Sequence, residues 1–221
     1  MKFLLLFIFA LSAFGMTISQ KEFVLKKEVK SWIEFKNERL IRQNYDYSCG
    51  SAALATILSH YYDTNISEQM ILAGILEIKG VTKEVSALEN QEGNNGLSFY
   101  DLSQYVSSHG FKAIGIALGI EELRKLQIPV IVFVKIRKRE HFTVLKKMDE
   151  KYAYLADPSF GNIRVSHAKF KEMFFQRNDE QNQGKILVIL AQNNIKGRET
   201  FKTVVPFPDS IYERITNPLR Y

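Results

Sequence analysis

Apolar residues recur at helical spacing in the first half of the chain. Segment 49–62 contains no helix breaker after Gly50, and small or apolar side chains return every three or four residues. This pattern predicts a helix that begins at or just after Cys49. Segment 67–78 predicts a second helix, with Ser67 as its N-cap.

The stretch that follows alternates between loop and helix signals. A short helix is predicted from Thr82, and the glycines and asparagines of 93–96 indicate a loop. Ser98 is a good N-cap for a helix of about ten residues, and Gly110 suits the position just after its C-terminus.

The second half of the chain consists mainly of β-branched and apolar runs, which predict strands. These runs cover 111–118, 130–135, 141–147, 151–156, 163–165 and 185–191. A hairpin is expected between 141–147 and 151–156, and short helices are expected at 120–126 and after Ser166. Helices followed by a mostly antiparallel sheet predict the α+β class rather than alternating βαβ units.

The two ends of the chain differ from the middle. Residues 1–15 combine a basic residue, Lys2, with an apolar run and small residues near Gly15, which is the pattern of a secretory signal peptide. An uncleaved membrane anchor is the alternative, although the apolar run is shorter than the ~20 residues that a spanning helix needs. We therefore expect an exported protein, periplasmic or extracellular, that is not an integral membrane protein after cleavage.

The rest of the chain is predicted to form one domain with two arms. Residues 16–39 are mixed and charged, and indicate an N-terminal arm with one short strand or helix around 32–35. Residues 40–191 are assigned to the domain itself. Residues 192–221 are polar and punctuated by prolines, and are expected to form an extended C-terminal arm.

Composition excludes several classes of function. The chain has 221 residues, 46% of them hydrophobic, which suits a globular protein. A single cysteine excludes an intrachain disulfide and any cysteine-cluster metal site. The net charge of +6 is spread along the chain without a nucleic-acid-binding motif, so no nucleic-acid partner is expected. We find no dinucleotide or phosphate-binding fingerprint, and expect no cofactor and no metal.

Four residues together point to nucleophilic catalysis. Cys49 begins a helix, where a thiol ionises more easily, and Gly50 would let a substrate backbone approach. His141 opens a strand, and the hairpin should bring Asp157 beside it to orient the imidazole. Gln43 could join the Cys49 N–H in an oxyanion hole. Each residue alone has an ordinary structural explanation, but this order is a papain-like layout.

The sequence resembles the bacteriocin-processing (double-glycine leader) cysteine peptidases over roughly residues 40–190. The segment from Gln43 to Ala53 is similar to that family's Q-x5-C-G-x-A motif. Further similar segments are Gly96-Leu97-Ser98 with Leu102, Gly110-Phe111-Lys112-Ala113, Leu126 to Ile131, His141 to Leu145, and Asp157 to Gly161.

The resemblance implies a papain-like fold and assigns each of the four residues a role. Cys49 would be the nucleophile, His141 the general base and acid, Asp157 the group that orients it, and Gln43 the oxyanion donor. No ABC transporter is expected in this chain, and the signal peptide is a second departure from the transporter-fused members. The interval between Cys49 and His141 is somewhat longer than in that family, and residues 80–95 are the expected insertion.

The predicted function is an exported cysteine peptidase that hydrolyses an exported peptide or protein through a thioester. The same triad would also suit a transglutaminase-like acyl transferase or deamidase. A non-catalytic, peptidase-derived module that binds an exported protein partner is a further alternative, and a murein endopeptidase is a weaker one. Structural roles are predicted for the three other histidines, His60, His109 and His167.

Overall fold

A short hairpin precedes the main body of the protein. The computed structural model describes residues 15–20, 23–28, 30–80, 97–136, 139–179, 181–192 and 195–203, with side chains from residue 30 onward. Strands β1 (Gly15–Gln20) and β2 (Phe23–Glu28) pair antiparallel, with Gly15 opposite Glu28. The predicted arm therefore contains a hairpin that its charged residues concealed. The signal-peptide prediction, apart from Gly15, lies outside the described residues.

The chain divides into two compact units, residues 1–35 and 36–221. Helix α1 (Trp32–Asn37) occupies the place where a short strand or helix was predicted. The larger unit extends beyond the predicted 40–191 domain on both sides, and everything described below lies within it.

Helices α2, α3 and α4 precede the sheet, in the predicted order. Helix α2 (Cys49–Thr56) continues into a π-helical turn (Ile57–Tyr61), and all eight residues of α2 are buried. Helix α3 (Glu68–Ile78) is capped by Ser67, and helix α4 (Phe99–Ser107) by a capping box of Ser98 and Asp101. Both N-caps were predicted from the sequence. The predicted helix from Thr82 and the loop 93–96 lie outside the described residues.

Six antiparallel strands form one sheet in the order β3-β8-β4-β5-β6-β7. Their bounds are Phe111–Leu118 (β3), Val130–Ile136 (β4), Arg139–Met148 (β5), Tyr152–Asp157 (β6), Gly161–Ser166 (β7) and Gly184–Ala191 (β8). Helix α5 (Ile120–Arg124) links β3 to β4, and helix α6 (His167–Phe174), capped by Ser166, follows β7. The predicted α+β class is confirmed.

The core lies between the sheet and helices α2, α3 and α4. Small side chains on α2, its three alanines and Ser51, let this helix approach β5 closely, while Phe142 and Val144 of β5 point into the core. Successive residues of β4, Val130, Ile131 and Val132, are all fully buried, so both faces of the sheet are covered there. Among the described residues, no helix is long and apolar enough to cross a membrane.

The C-terminal segment departs from the predicted extended arm. A 3-10 turn (Glu199–Lys202) carries Phe201, which is fully buried with its ring 6.0 Å from that of Tyr61. The polar composition of the segment hid this single aromatic anchor. The described part of the tail, 195–203, therefore packs on the core, while 204–221 lie outside the described residues.

Candidate active site

Cys49 is the first residue of α2, and its surroundings are fixed by the loop before it. The Ser48 hydroxyl accepts the Tyr45 N–H (3.1 Å) and donates to the Tyr45 carbonyl (2.8 Å). This tight turn ends where the helix begins, so the first N–H groups of α2 have no helical acceptor. Cys49 is 9% exposed. Cys49 is thus almost fully buried, and it lines the cavity described below.

His141 and Asp157 meet because β5 and β6 form a hairpin. The pairing of Val144 with Ala156 puts the end of β6 beside the start of β5. Nε2 of His141 lies 3.0 Å from Oδ2 and 3.1 Å from Oδ1 of Asp157. The Asp157 carboxylate is fully buried. The expected proximity of these two residues is therefore observed.

The turn after β6 holds the Asp157 carboxylate in place. Oδ1 accepts the backbone N–H groups of Ser159 and Phe160, both at 2.9 Å. Gly161 closes this turn at a φ of +90°, a conformation that side chains rarely adopt. A Cβ at Gly161 would also lie only 2.7 Å from the Lys36 carbonyl oxygen. Glycine is thus needed directly behind the acid.

The charges of the pair stabilise each other against burial. Burial opposes the charged imidazole, but the Asp157 carboxylate and a hydrogen bond with Cys49 raise the pKa of His141 to about 10. Burial also opposes the carboxylate, yet the His141 charge and the N–H groups of Phe160 and Ser159 lower the pKa of Asp157. The pair is therefore an imidazolium and a carboxylate at neutral pH, and the imidazolium contacts the thiol.

Gln43 forms hydrogen bonds with both the turn before α2 and the turn after Asp157. Its Nε2 donates to the Tyr45 carbonyl (2.8 Å), which also accepts the Ser48 N–H (3.2 Å). Its Oε1 accepts the Ser159 hydroxyl (2.6 Å), and its backbone N–H donates to the Pro158 carbonyl (3.2 Å). The structure thus places the Gln43 amide between the turn before α2 and the turn after Asp157.

A cavity of about 580 Å³ opens beside Cys49 and His141. Besides Cys49 and His141, five aromatic residues and three charged residues line it. The remaining lining residues are Asp46, Tyr47, Leu97, Ser98, Phe99, Tyr100, Phe133, Glu140, Phe142 and Lys185. A ligand with apolar side chains would fit such a surface.

Gly50 has a packing role that its sequence context did not suggest. A Cβ at this position would lie 3.1 Å from Cδ2 of Phe142 and 3.5 Å from Cβ of Leu97. The glycine is therefore explained by close packing of α2 against these two residues. The expectation that it also clears space for a substrate backbone stays a prediction.

Two residues that support the site gave no signal in the sequence. Ser159 resembles an ordinary turn residue, and Glu68 an ordinary acid in the first turn of a helix. Glu68 is nevertheless buried, and it accepts both the Asn44 backbone N–H (3.0 Å) and the Asn44 side-chain amide. These contacts fix the loop next to Gln43, and only the tertiary structure brings their partners together.

Two of the other histidines make no contact with the candidate triad. His109 stacks on Tyr105, with ring centroids 4.2 Å apart, and its Nδ1 lies 2.8 Å from the Tyr105 carbonyl. His60 lies on the π-helical turn after α2, where burial and nearby cations lower its pKa. No group of three or more histidine, cysteine, aspartate or glutamate residues suited to a metal ion occurs within the described ranges.

Comparison with known proteins assigns the family. A family model described as the Peptidase C39 family matches residues 70–177. A protein of Methanothermobacter thermautotrophicus, named "Uncharacterized protein", is 33% identical over 138 residues, which cover 62% of this chain and 84% of the relative. The chain belongs to the Peptidase C39 family. The residues matched by the C39 model include His141 and Asp157, whereas Cys49 and Gln43 precede them.

Two further comparisons describe how this C39 chain relates to other members. The "Probable functional amyloid protease FapD" of Pseudomonas fluorescens is 35% identical over 147 residues, 66% of this chain and 62% of the relative. The chain thus spans less than two thirds of that relative. A crystal structure of a double glycine motif protease from an AMS/PCAT transporter, with its leader peptide, has a TM-score of 0.53 and 24% identity over 69% of this chain and 90% of that one. This likeness confirms the C39 papain-like fold.

Proposed function

We propose that this C39 chain is an exported cysteine peptidase that cleaves a peptide bond through a thioester intermediate. The observation that carries the proposal is the position of His141, which contacts the buried Asp157 carboxylate through Nε2 and also forms a hydrogen bond with the Cys49 side chain. A nucleophile, a base and an orienting group in mutual contact are the minimum that thiol catalysis requires. The helix N-terminus and the adjoining cavity support it.

In the proposed reaction, the Cys49 thiolate adds to the carbonyl carbon of the scissile bond, and the carbonyl oxygen becomes an oxyanion. The Cys49 N–H and the Gln43 amide stabilise that charge. The intermediate expels the amine, which takes a proton from the His141 imidazolium, and a thioester remains. His141 then accepts a proton from water as the hydroxyl attacks the thioester, and the acid product leaves with Cys49 regenerated.

The substrate class follows from the cavity and from the N-terminal sequence. Aromatic walls beside Cys49 favour an extended peptide segment with apolar side chains. The signal-peptide pattern supports a reaction outside the cytoplasm, and we therefore expect the substrate to be an exported peptide or protein. Because a relative is named as a functional amyloid protease, an exported amyloid-forming protein is the first candidate to test.

Alkylation of the single cysteine tests the nucleophile. Intact-mass spectrometry would follow the reaction of Cys49 with iodoacetamide in the wild type, in His141→Ala and in the matched histidine control His109→Ala. Rapid labelling of the wild type and the control, with slow labelling of His141→Ala, is expected. Equal slow labelling of all three proteins would contradict the proposal.

Mapping of new termini then tests hydrolysis. Exported proteins from cells carrying the wild type or Cys49→Ala would be compared for N-termini that depend on Cys49. Transfer of the acyl group to an added amine without chain cleavage would favour the acyl-transferase alternative. An unchanged cellular phenotype in Cys49→Ala would favour a binding module.

A further inference from the structure

The hydrogen bond from Ser159 to Gln43 links two parts of the site that are 116 residues apart in the chain. Ser159 lies in the turn that holds Asp157, and Gln43 lies in the loop before α2. An amide group has one acceptor and two donor positions in a single plane. The Tyr45 carbonyl can only accept, so it must face Nε2, and the Ser159 hydroxyl then donates to Oε1.

This two-point attachment fixes the plane of the Gln43 amide. With Tyr45 alone, the amide could rotate about one hydrogen bond, and its second N–H would have no set direction. The Ser159 contact at 2.6 Å removes that freedom. Within the described residues, the Tyr45 carbonyl is the acceptor recorded for Nε2, which leaves its second N–H for another acceptor.

The location of Nε2 indicates which acceptor its second N–H would meet during the reaction. Nε2 and the Ser48 N–H share the Tyr45 carbonyl, so the amide lies at the turn that immediately precedes Cys49. An oxygen bound to the carbon under attack by Cys49 would form at the same helix end, next to the first unsatisfied N–H groups.

We propose that Ser159 is a positioning residue that orients the second N–H of the Gln43 amide towards the oxyanion. The inference rests on the proposed function and extends it, because it assigns a role to a residue outside the triad and the oxyanion hole. Ser159 acts through Gln43 and touches no reacting atom. Its backbone N–H, which donates to Asp157, remains in every variant considered below.

Two reactions of the same thiol separate this role from general support of the site. Alkylation by iodoacetamide displaces iodide at a saturated carbon and forms no oxyanion. Acylation by the p-nitrophenyl ester of acetyl-Gly-Gly forms an oxyanion before p-nitrophenolate leaves. The orientation of the Gln43 amide therefore affects the rate constant for acylation and not the rate constant for alkylation.

Ser159→Ala is expected to lower the acylation rate constant by on the order of ten-fold, the worth of about one hydrogen bond, with the alkylation rate constant unchanged. Gln43→Ala should lower acylation by about 100-fold or more, as removal of an oxyanion donor does. Ser159→Ala should have no further effect in that background. Ser159→Thr, which keeps the hydroxyl, should restore acylation.

The outcomes distinguish the inference from the function on which it rests. Slow alkylation of the wild type, equal to that of His141→Ala, would overturn the proposed function itself. Fast alkylation together with wild-type acylation in Ser159→Ala would overturn only the role of Ser159. A parallel fall of the alkylation and acylation rate constants in Ser159→Ala would also overturn it. That result would indicate that Ser159 supports the structure around Cys49 rather than the orientation of the Gln43 amide.

Discussion

Nε2 of His141 lies within 3.1 Å of both carboxylate oxygens of Asp157, and that carboxylate is fully buried. The contact uses one ring nitrogen, and the ring also forms a hydrogen bond with the Cys49 side chain. The charge of a buried carboxylate has to be compensated by its neighbours, and here the imidazolium and two backbone N–H groups do so. The acid thus orients the base and keeps it charged.

Removal of the Asp157 charge should alter the pH dependence of the reaction. Asp157→Asn retains an acceptor for the turn N–H groups but loses the carboxylate that raises the pKa of His141. The alkaline limb of the rate profile should therefore move to lower pH. Asp157→Ala should lose about 100-fold or more in rate, as loss of oriented acid–base catalysis does. Profiles of kcat/KM against pH measure both effects, and a profile of Asp157→Asn that superimposes on the wild type would contradict this reading.

The same pair should make stability depend on pH. The pKa of His141 rises from its ordinary value of 6.5 to about 10 on folding, so its stabilising contribution is full below pH 6.5 and is lost as the pH rises to about 10. Urea unfolding of the wild type and of His141→Gln should show a difference in unfolding free energy that shrinks across this window. A difference that stays constant with pH would count against a charged pair.

Lys146 should show the opposite trend. Its side chain is buried with Nζ 4.8 Å from the centre of the Phe201 ring, and burial, with a smaller effect of Arg39, lowers its pKa to about 8. Folding then penalises the charged amine, so this cost is absent above pH 10.5 and is fully present below about pH 8. Lys146→Met should raise the unfolding free energy at pH 7 by about 2 kcal/mol, with a smaller gain at pH 10.

Lys147→Met supplies the matched control for that experiment. The Lys147 side chain is exposed, with Nζ 5.5 Å from the centre of the Tyr154 ring. Its replacement should change the unfolding free energy by less than about 0.5 kcal/mol. Equal effects of the two substitutions would show that burial of Lys146 has no energetic consequence.

Phe201 should anchor the C-terminal segment. Phe201→Ala removes a fully buried ring and should cost about 3–5 kcal/mol of unfolding free energy. Glu199→Ala, an exposed position in the same turn, should change it by less than about 0.5 kcal/mol. Thermal or urea unfolding measures both values. A loss below about 1 kcal/mol for Phe201→Ala would indicate that the segment is a dispensable arm.

The sequence alone determined most of the helices and strands and one contact of the site, that between His141 and Asp157. Periodicity and capping residues located α2, α3, α4 and the six strands β3 to β8, because these signals are local in the chain. The hairpin spacing placed Asp157 beside His141, since antiparallel pairing fixes which residues lie opposite. The helix start at Cys49 followed from the same local pattern.

Only the tertiary structure decided the contacts between distant segments. The hydrogen bond between Ser159 and Gln43 joins residues 116 apart, and the one between Asn44 and Glu68 depends on how α3 packs. The burial of Lys146 and Phe201 likewise depends on which surfaces meet. Composition gives no sign of these contacts, because a side chain becomes buried or hydrogen-bonded only when the packed elements bring its partner within reach.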